Sequence, residues 1–169
     1  QESWVNAFQP LANWKTQKGV PATIVTTNWI YNSGGYSGTN IQKIKAFVQD
    51  AYTTWGTTYV LLGGDINIVP CQNRTFSTVD PDPVPNDAYY ADFDSDWVCE
   101  VNIGRASVTG TGNSTGQIGN FINKILTYET TPPLTNYTQN AGFFGFDLDS
   151  STHAHISKMN IKNAYSPTS

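Results

Sequence analysis

Three carboxylates stand at every second position in Asp92-Phe-Asp-Ser-Asp96, and Glu100 follows four residues later. Seven of the 13 acidic residues of the chain lie between residues 80 and 100, and no Lys or Arg occurs between Arg74 and Arg105. Hard cations such as Ca²⁺ take about six to eight oxygen ligands from carboxylates and carbonyls on flexible loops. The pattern therefore predicts a calcium site that includes Asp92, Asp94, Asp96 and Glu100. The alternative is a solvated acidic loop, in which the carboxylates repel one another at low salt.

A further carboxylate ends an apolar run. Residues 59–62 (Tyr-Val-Leu-Leu) are apolar without alternation, which is typical of a parallel strand covered on both faces, and Gly63, Gly64 and Asp65 follow. Functional groups of open α/β sheets gather beyond the carboxyl ends of the strands. We expect Asp65 to hydrogen-bond loop amides or to approach a cation, and to orient a site rather than to react.

The pair His153-Ala-His155 follows the last apolar run, residues 141–147, which we interpret as a strand ending on Asp147 and Asp149. Two imidazoles could bind a transition metal or act as bases. Two residues apart on a helix, however, their side chains would diverge. We therefore expect histidines at the surface or in a first helical turn, without a catalytic role.

The two cysteines, Cys71 and Cys99, each border a predicted strand. Adjacent parallel strands could bring them together as a disulfide if their Cα atoms lie within about 7 Å, and a pair of free thiols is the equal alternative. Neither cysteine lies in a Gly-rich or elbow-like context typical of a nucleophile. Three Asn-X-Ser/Thr sequons fall in predicted loops and are candidate N-glycosylation sites, namely Asn73, Asn113 and Asn136.

Helical and strand patterns alternate along the chain. Apolar positions spaced by three and four residues predict helices, and β-branched or apolar runs predict strands. The predicted helices cover residues 10–18, 40–55 and 115–129, with Pro10 at a first helical position and Ser114 or Thr115 as the last N-cap, and the predicted strands cover residues 22–27, 59–62, 98–105 and 141–147. This order predicts an α/β fold, a three-layer α/β/α sandwich with a mainly parallel sheet, as a single domain over residues 1–169.

Composition limits the class of protein. Only 13% of the residues are charged, the net charge is −4, and Asn, Thr, Ser, Gly and Tyr supply the polarity. A pI near 4.9 argues against binding to nucleic acid, and no stretch reaches the roughly 18 apolar residues of a membrane span. Together with the sequons, this composition favours an extracellular or cell-surface protein.

Several longer motifs run through nearly the whole chain in a fixed order. They are residues 14–19 (WKTQKG), 59–70 (YVLLGGDINIVP), 86–91 (NDAYYA), 101–105 (VNIGR) and 125–129 (ILTYE). In these residues the chain resembles the gingipain-type cysteine peptidases of the caspase-like clan. The resemblance implies a caspase-like α/β/α catalytic domain of a secreted endopeptidase, with structural calcium ions and a Cys–His dyad.

The resemblance also assigns roles to individual residues. Asp96 and Glu100 are similar in position to carboxylates that ligate calcium ahead of the Ile-Gly-Arg strand, with the carbonyl of Val98 between them. Asp149 falls near the third catalytic acid of the family, which orients the histidine, and Asp147 is the alternative.

The chain departs from the family at the dyad. In the family a Gly-His-Gly stretch and a strand-end cysteine lie beyond the helix that begins here near Ser151, and a first strand precedes the helix of residues 10–18. Neither dyad position is matched by Cys71, Cys99, His153 or His155. We therefore expect an inactive fragment of a larger domain, whose partner is the rest of the peptidase or a neighbouring subunit that completes the sheet.

Two other readings stay open. A non-catalytic cell-surface or filament-forming subunit could use the same fold, because a sheet without its first strand leaves an edge open to strand addition. A small calcium-binding adhesion module is the third possibility.

Overall fold

The computed structural model describes residues 2–75, 82–145, 147, 149, 151 and 153–165. The chain divides into two compact units, Gln1–Thr131 and Pro132–Ser169, where the sequence indicates a single domain. The helices are α1 (Val5–Gln17), α2 (Thr27–Asn32), α3 (Asn40–Trp55), α4 (Ser114–Thr130) and α5 (Ala154–Tyr165), with 3₁₀ turns at Glu2–Trp4, Ala88–Tyr90 and Asn136–Gln139. The strands are β1 (Tyr59–Gly63), β2 (Gln72–Arg74), β3 (Val84–Asn86) and β4 (Asn102–Ala106).

The first helix starts earlier than its sequence predicts. Pro10 lies inside α1 and not at its first position, so that prediction was wrong. Burial of Trp4 and Leu11 in one apolar cluster explains the extension, because tertiary packing outweighs the hydrogen bond that a proline removes. The predicted end is confirmed, since Gly19 follows the helix with a φ of +89°, in the left-handed region.

The predicted strand at residues 22–27 is absent. Residues 20–26 have no regular structure, and α2 begins at Thr27. The side chain of Thr26 accepts a hydrogen bond from the backbone N–H of Trp29 at 3.3 Å and caps α2. A capping threonine thus starts a helix where the β-branched run predicts a strand.

The third helix matches its prediction. It begins after Thr39, which forms a reciprocal capping box with Gln42, and it ends at Gly56 with a φ of +67°. Ile44 and Val48 on its apolar stripe are buried. This helix therefore contributes its apolar stripe to one of the two core clusters.

The parallel sheet is also confirmed. Strands β1 and β4 pair in parallel, from Tyr59 opposite Asn102 to Gly63 opposite Ala106. The prediction that β1 is covered on both faces is wrong, however, because Leu61 is 42% exposed and Tyr59 is 67% exposed. In the described part of the chain this sheet has two strands, so its outer residues lack neighbours.

The sheet lies between two helical layers. Leu62 of β1 packs with Ile44 and Val48 of α3, whereas Ala106 of β4 packs with Leu11 of α1 and Ile118 of α4. Leu62 pairs with Arg105, one register position before Ala106, so Leu62 and Ala106 point to opposite faces. The first unit therefore has the α/β/α layering that the sequence predicts.

The predicted N-cap of α4 is wrong. Its N-cap is Asn113, whose side chain accepts from the N–H of Gly116 at 3.1 Å, and not Ser114 or Thr115. The amide of Asn113 reaches the third residue of the helix, which satisfies one free N–H of the first turn.

Strands β2 and β3 form a separate antiparallel pair.

In the second unit, the predicted strand at residues 141–147 is wrong over its described part. Residues 141–145 have no regular structure, and Phe144 is 88% exposed, while Phe146 lies outside the described residues. An apolar run forms a strand only where a neighbour pairs with it, and none does among the described residues of this unit. None of the helices in the described parts of the chain has the length and apolarity needed to cross a membrane.

Candidate functional site

The acidic loop, residues 92–100, forms a cluster of oxygen donors ahead of β4. One carboxylate oxygen from each of Asp92, Asp94 and Asp96 lies within 4.8 Å of the other two. Asp92 is buried, with 5% of its surface exposed, whereas the other two aspartates are exposed. The cluster therefore has a fixed inner ligand and an open outer side.

Backbone N–H groups hold the inner carboxylate in place. Ser95 donates to Oδ1 of Asp92 at 2.6 Å, and Trp97 donates to its Oδ2 at 3.2 Å. Ser95 and Trp97 both adopt positive φ angles, +67° and +73°, which non-glycine residues rarely do. Val98 donates to Oδ1 of Asp96 at 2.7 Å. The loop thus has strained backbone conformations at two positions, and in this conformation its aspartates lie close together.

Glu100 lies beside the three aspartates, and its role as a cation ligand stays a prediction. Its Oε2 accepts a hydrogen bond from the N–H of Phe93 at 2.6 Å, and Glu100 is not a member of the group of three aspartates. This contact closes the loop, because the N–H of Glu100 donates in turn to the carbonyl of Ala91 at 2.9 Å.

The side chain of Lys45 contacts the main chain of the acidic loop and not its carboxylates. Nζ of Lys45 donates to the main-chain carbonyl of Asp92 at 2.7 Å and lies 4.6 Å from the ring centre of Tyr89. Burial raises the pKa of the neighbouring Cys99 thiol, and the carboxylate of Asp92 raises it further. The carboxylates of the loop thus make the surroundings of this thiol negative.

The donor set fits a hard divalent cation. Three carboxylates on one flexible loop supply the oxygen chemistry that Ca²⁺ prefers, and the exposed side leaves room for carbonyls or water. Asp92, Asp94 and Asp96 are the residues that would hold it, and calcium itself stays a prediction.

The turn after β1 places Asp65 where the sequence puts it, at the carboxyl end of the strand. Oδ1 of Asp65 accepts from the N–H of Asn67 at 3.0 Å, and the N–H of Asp65 donates to the carbonyl of Val108 at 2.9 Å. These contacts are those expected of a carboxylate that hydrogen-bonds loop amides.

Sequence reasoning missed the group that fixes this turn, the guanidinium of Arg105. It forms two hydrogen bonds with the carboxylate of Asp87, at 2.6 and 2.8 Å, and donates to the carbonyls of Gly64 and Val69 at 2.8 and 2.7 Å. The hydrogen bonds with Asp87 raise the pKa of Arg105. Its signal in the sequence is its place as the first basic residue after an acid-rich stretch.

A second missed group joins α1 to α4. Both carboxylate oxygens of Glu129 are engaged, by Nε1 of Trp14 at 2.9 Å and by the ammonium groups of Lys15 and Lys18 at 2.5 and 2.9 Å. The hydrogen bond from Lys15 is the main cause that lowers the pKa of Glu129 to about 2. This acid, unlike those of the loop, is neutralised by the protein itself.

The second unit contains a cluster of one carboxylate and two imidazoles. The two histidine side chains converge there, so the expectation that they diverge was wrong. Nδ1 of His153 lies 3.3 Å from Asp147 Oδ2, and Nδ1 of His155 lies 3.0 Å from Asp147 Oδ1. The divergence holds only within a helix, and His153 precedes α5, so both rings reach one carboxylate. The nearby Asp149 instead accepts from the N–H and hydroxyl of Ser151, both at 2.7 Å.

The remaining predicted residues are dispersed. Cys71 and Cys99 are both free thiols in the structure, so the predicted alternative of free cysteines is the one present. Asn73 lies in β2 and not in a loop, because its segment pairs with β3, whereas Asn113 caps α4 and Asn136 begins a 3₁₀ turn. All three asparagines are exposed.

Two solved structures share the fold of the chain. A complex of the pro- and mature domains of RgpB from Porphyromonas gingivalis matches with a TM-score of 0.57 and 25% identity, over 75% of this chain and 27% of that one. The Arg-specific cysteine proteinase gingipain R matches equally, with a TM-score of 0.57 and 25% identity, over 75% of this chain and 26% of that chain. This chain thus spans about a quarter of the length of either structure.

No curated protein matches the chain significantly. The model of peptidase family C25 matches residues 1–168, which is nearly the whole sequence. These findings confirm the gingipain-like resemblance and the α/β fold predicted from the motifs. The chain belongs to peptidase family C25.

Proposed function

We propose that this chain is the amino-terminal part of a secreted, calcium-stabilised gingipain-like cysteine endopeptidase whose Cys–His dyad lies outside it. The observation that carries the proposal is the group of three aspartate carboxylates ahead of β4, in a chain that belongs to a peptidase family. In such an enzyme a thiolate attacks the peptide carbonyl and a histidine acts as acid and base.

The chain would contribute the sheet, the acidic loop and one acid. A bound Ca²⁺ would supply positive charge that neutralises the loop, with Asp92, Asp94 and Asp96 as ligands. Asp149 is the proposed orienting acid and Asp147 the alternative, and the contacts of Asp147 with two imidazoles support such a role for an acid in this segment. The exposed sequon asparagines support a secreted protein.

The natural protein that contains this chain provides the test. We expect it to hydrolyse an unfolded protein substrate, to lose that activity on alkylation by iodoacetamide, and to lose stability in EGTA. The 169-residue chain alone should be inactive in the same assay. Hydrolysis by the isolated chain would place the dyad within it and contradict the proposal.

A second candidate function, a non-catalytic structural subunit, is favoured by one specific feature. An apolar cleft of 1160 Å³ opens in the first unit between the irregular segment at residues 20–26, helix α3 and strand β1. β4 occupies one edge of β1, and the described residues place no strand on the other. A strand from a second copy of the chain would find backbone hydrogen-bonding groups and an apolar lining there.

Light scattering on a size-exclusion column separates the two functions. If the chain is a structural subunit, it should self-associate, and Leu61→Lys should abolish the association because a buried ammonium would enter the cleft. Leu134→Lys is the matched control, since Leu134 is fully exposed in the second unit. A monomer at all concentrations, or equal effects of both substitutions, would exclude the structural subunit.

A further inference from the structure

Three side chains of the second unit converge with the donor types of a transition-metal site. One atom from each of Asp147, His153 and His155 lies within 4.8 Å of the other two. The cluster is distinct from the acidic loop in residues and in chemistry, because two of its three donors are imidazole nitrogens.

The spacing of the donors suits a small ion. Metal–ligand bonds of about 2.0–2.1 Å place the ligands of a tetrahedral zinc site about 3.3–3.4 Å apart. Nδ1 of His153 and Nδ1 of His155 lie 3.3 and 3.0 Å from the two oxygens of Asp147. A metal ion could therefore replace the hydrogen bonds with little movement of the rings.

The backbone brings the cluster together at the start of α5. A Cβ added to Gly145 would lie 3.1 Å from the carbonyl carbon of Ala154 and 3.1 Å from the N of His155, so a larger residue would have to move this backbone by a few tenths of an ångström. The carbonyl of His153 accepts from the N–H of Ile156 at 3.2 Å, which fixes this residue at the helix start. Because Gly145 has no side chain, the segment before Asp147 can lie against the first turn of the helix.

The chemistry of the donors selects the class of metal. Imidazole suits Zn²⁺, Cu²⁺ and Ni²⁺, whereas Ca²⁺ prefers oxygen ligands only. The side chains are 42% exposed for Asp147, 37% for His153 and 59% for His155, so an ion can enter from solvent and keep a position for water.

We propose that Asp147, His153 and His155 bind a divalent transition metal, with Zn²⁺ as the probe and a fourth position left to water or an added ligand. The site does not rest on the peptidase proposal, although Asp147 is also the alternative orienting acid there. Zinc binding is measured without any activity assay, so the failure of one proposal is distinguishable from the failure of the other.

Calorimetric titration of the metal-free chain with Zn²⁺, in calcium-containing buffer, tests the site. We expect one zinc ion per chain, and at least about tenfold weaker binding after either His153→Ala or His155→Ala, because each removes one of three protein ligands. Asp94→Asn, in the acidic loop, is the control and should leave zinc binding unchanged. Co²⁺ should give visible absorption typical of a four- or five-coordinate ion, and the double histidine variant should lack it.

Two results would overturn the proposal. The first is the absence of zinc binding by the wild-type chain, and the second is binding that survives in the double histidine variant. Circular dichroism of the metal-free variants checks that they are folded, since removal of partly exposed rings should not reduce the helix content. Gly145→Ala offers a second route, because it should weaken zinc binding while every ligand is kept.

Discussion

The acidic loop and the histidine cluster both gather three potential metal ligands, yet they do so by different means. In the loop, backbone N–H groups from Ser95 and Trp97 hold the buried carboxylate of Asp92. In the cluster, the imidazoles of His153 and His155 contact Asp147 directly, and all three side chains are substantially exposed. One site is thus anchored by a buried ligand, and the other lies on the surface.

This difference separates the contribution of a residue to folding from its contribution to metal binding. Removing Asp92 should disturb the protein with or without a metal ion, because its carboxylate also completes hydrogen bonds of the backbone. Removing a histidine should matter only when a metal is present. The identity of the metal follows from the donors, oxygen alone for the loop and mainly nitrogen for the cluster.

The largest effect is expected from Asp92→Ala. This substitution removes the carboxylate that accepts from the N–H groups of Ser95 and Trp97, and we expect the free energy of unfolding to fall by about 2–4 kcal/mol even in EGTA. Urea denaturation measures the change. Asp92→Asn, which keeps an acceptor oxygen, is the control and should lose less; equal stability of Asp92→Ala and wild type would mean that the loop is not held by this carboxylate.

Asp96→Asn should act on the ion rather than on the fold. The amide oxygen can still accept from the N–H of Val98, but the charge is lost, so we expect calcium binding about 10–100-fold weaker, or about 1.4–2.7 kcal/mol. Calorimetric titration with Ca²⁺ measures it. Asp82→Asn removes an exposed carboxylate from the same acid-rich stretch and should change little. Equal losses of stability with and without calcium would show that Asp96 is structural.

Glu129 sharpens the contrast, because the protein itself supplies its cations. Its folded pKa of about 2 lies below the ordinary value of 4.5, so its contribution is present above about pH 4.5 and is lost as the pH falls toward 2. We expect Glu129→Gln to cost about 1–2 kcal/mol at pH 7, since Lys15 and Lys18 are partly exposed, and to cost much less near pH 2.

Urea denaturation of Glu129→Gln at several pH values checks this window, with Asp82→Asn as the exposed control. A cost independent of pH would mean that the glutamate acts through packing and not through its charge. Calcium should not alter the result, because Glu129 needs no metal.

The smallest effect is expected from His155→Ala in metal-free buffer. The ring is 59% exposed, and surface substitutions usually change stability by less than about 0.5 kcal/mol. Thermal unfolding in EDTA measures it. A large loss without metal would make the cluster a structural element and would remove its contrast with the acidic loop.

The elements predicted correctly from sequence are those with a strong local signal. The stripe of α3 and the glycines at positions 19 and 56 specify their conformation without help from distant residues, whereas the apolar run of β1 is a strand because β4 pairs with it. The strand predicted at residues 22–27 failed because Thr26 caps a helix, and the one at residues 141–147 failed because no strand pairs with its described part. Strand formation depends on a partner, which local sequence does not reveal.

The candidate site shows the same limit. Alternate spacing predicts the convergence of Asp92, Asp94 and Asp96, because neighbouring residues of a tight loop are close in space whatever the fold. The pairing of Arg105 with Asp87 and the contact of Glu129 with α1 join residues far apart in sequence, and only the assembled fold brings them together.

Thermal unfolding of the chain in calcium and in EGTA tests the calcium loop most directly. If Asp92, Asp94 and Asp96 hold the ion, calcium should raise the melting temperature, because it adds about 2.7 kcal/mol to the free energy of unfolding at 100 times the dissociation constant. The rise should shrink in Asp96→Asn and persist in His155→Ala. Identical melting temperatures in calcium and in EGTA would mean that the loop binds no calcium.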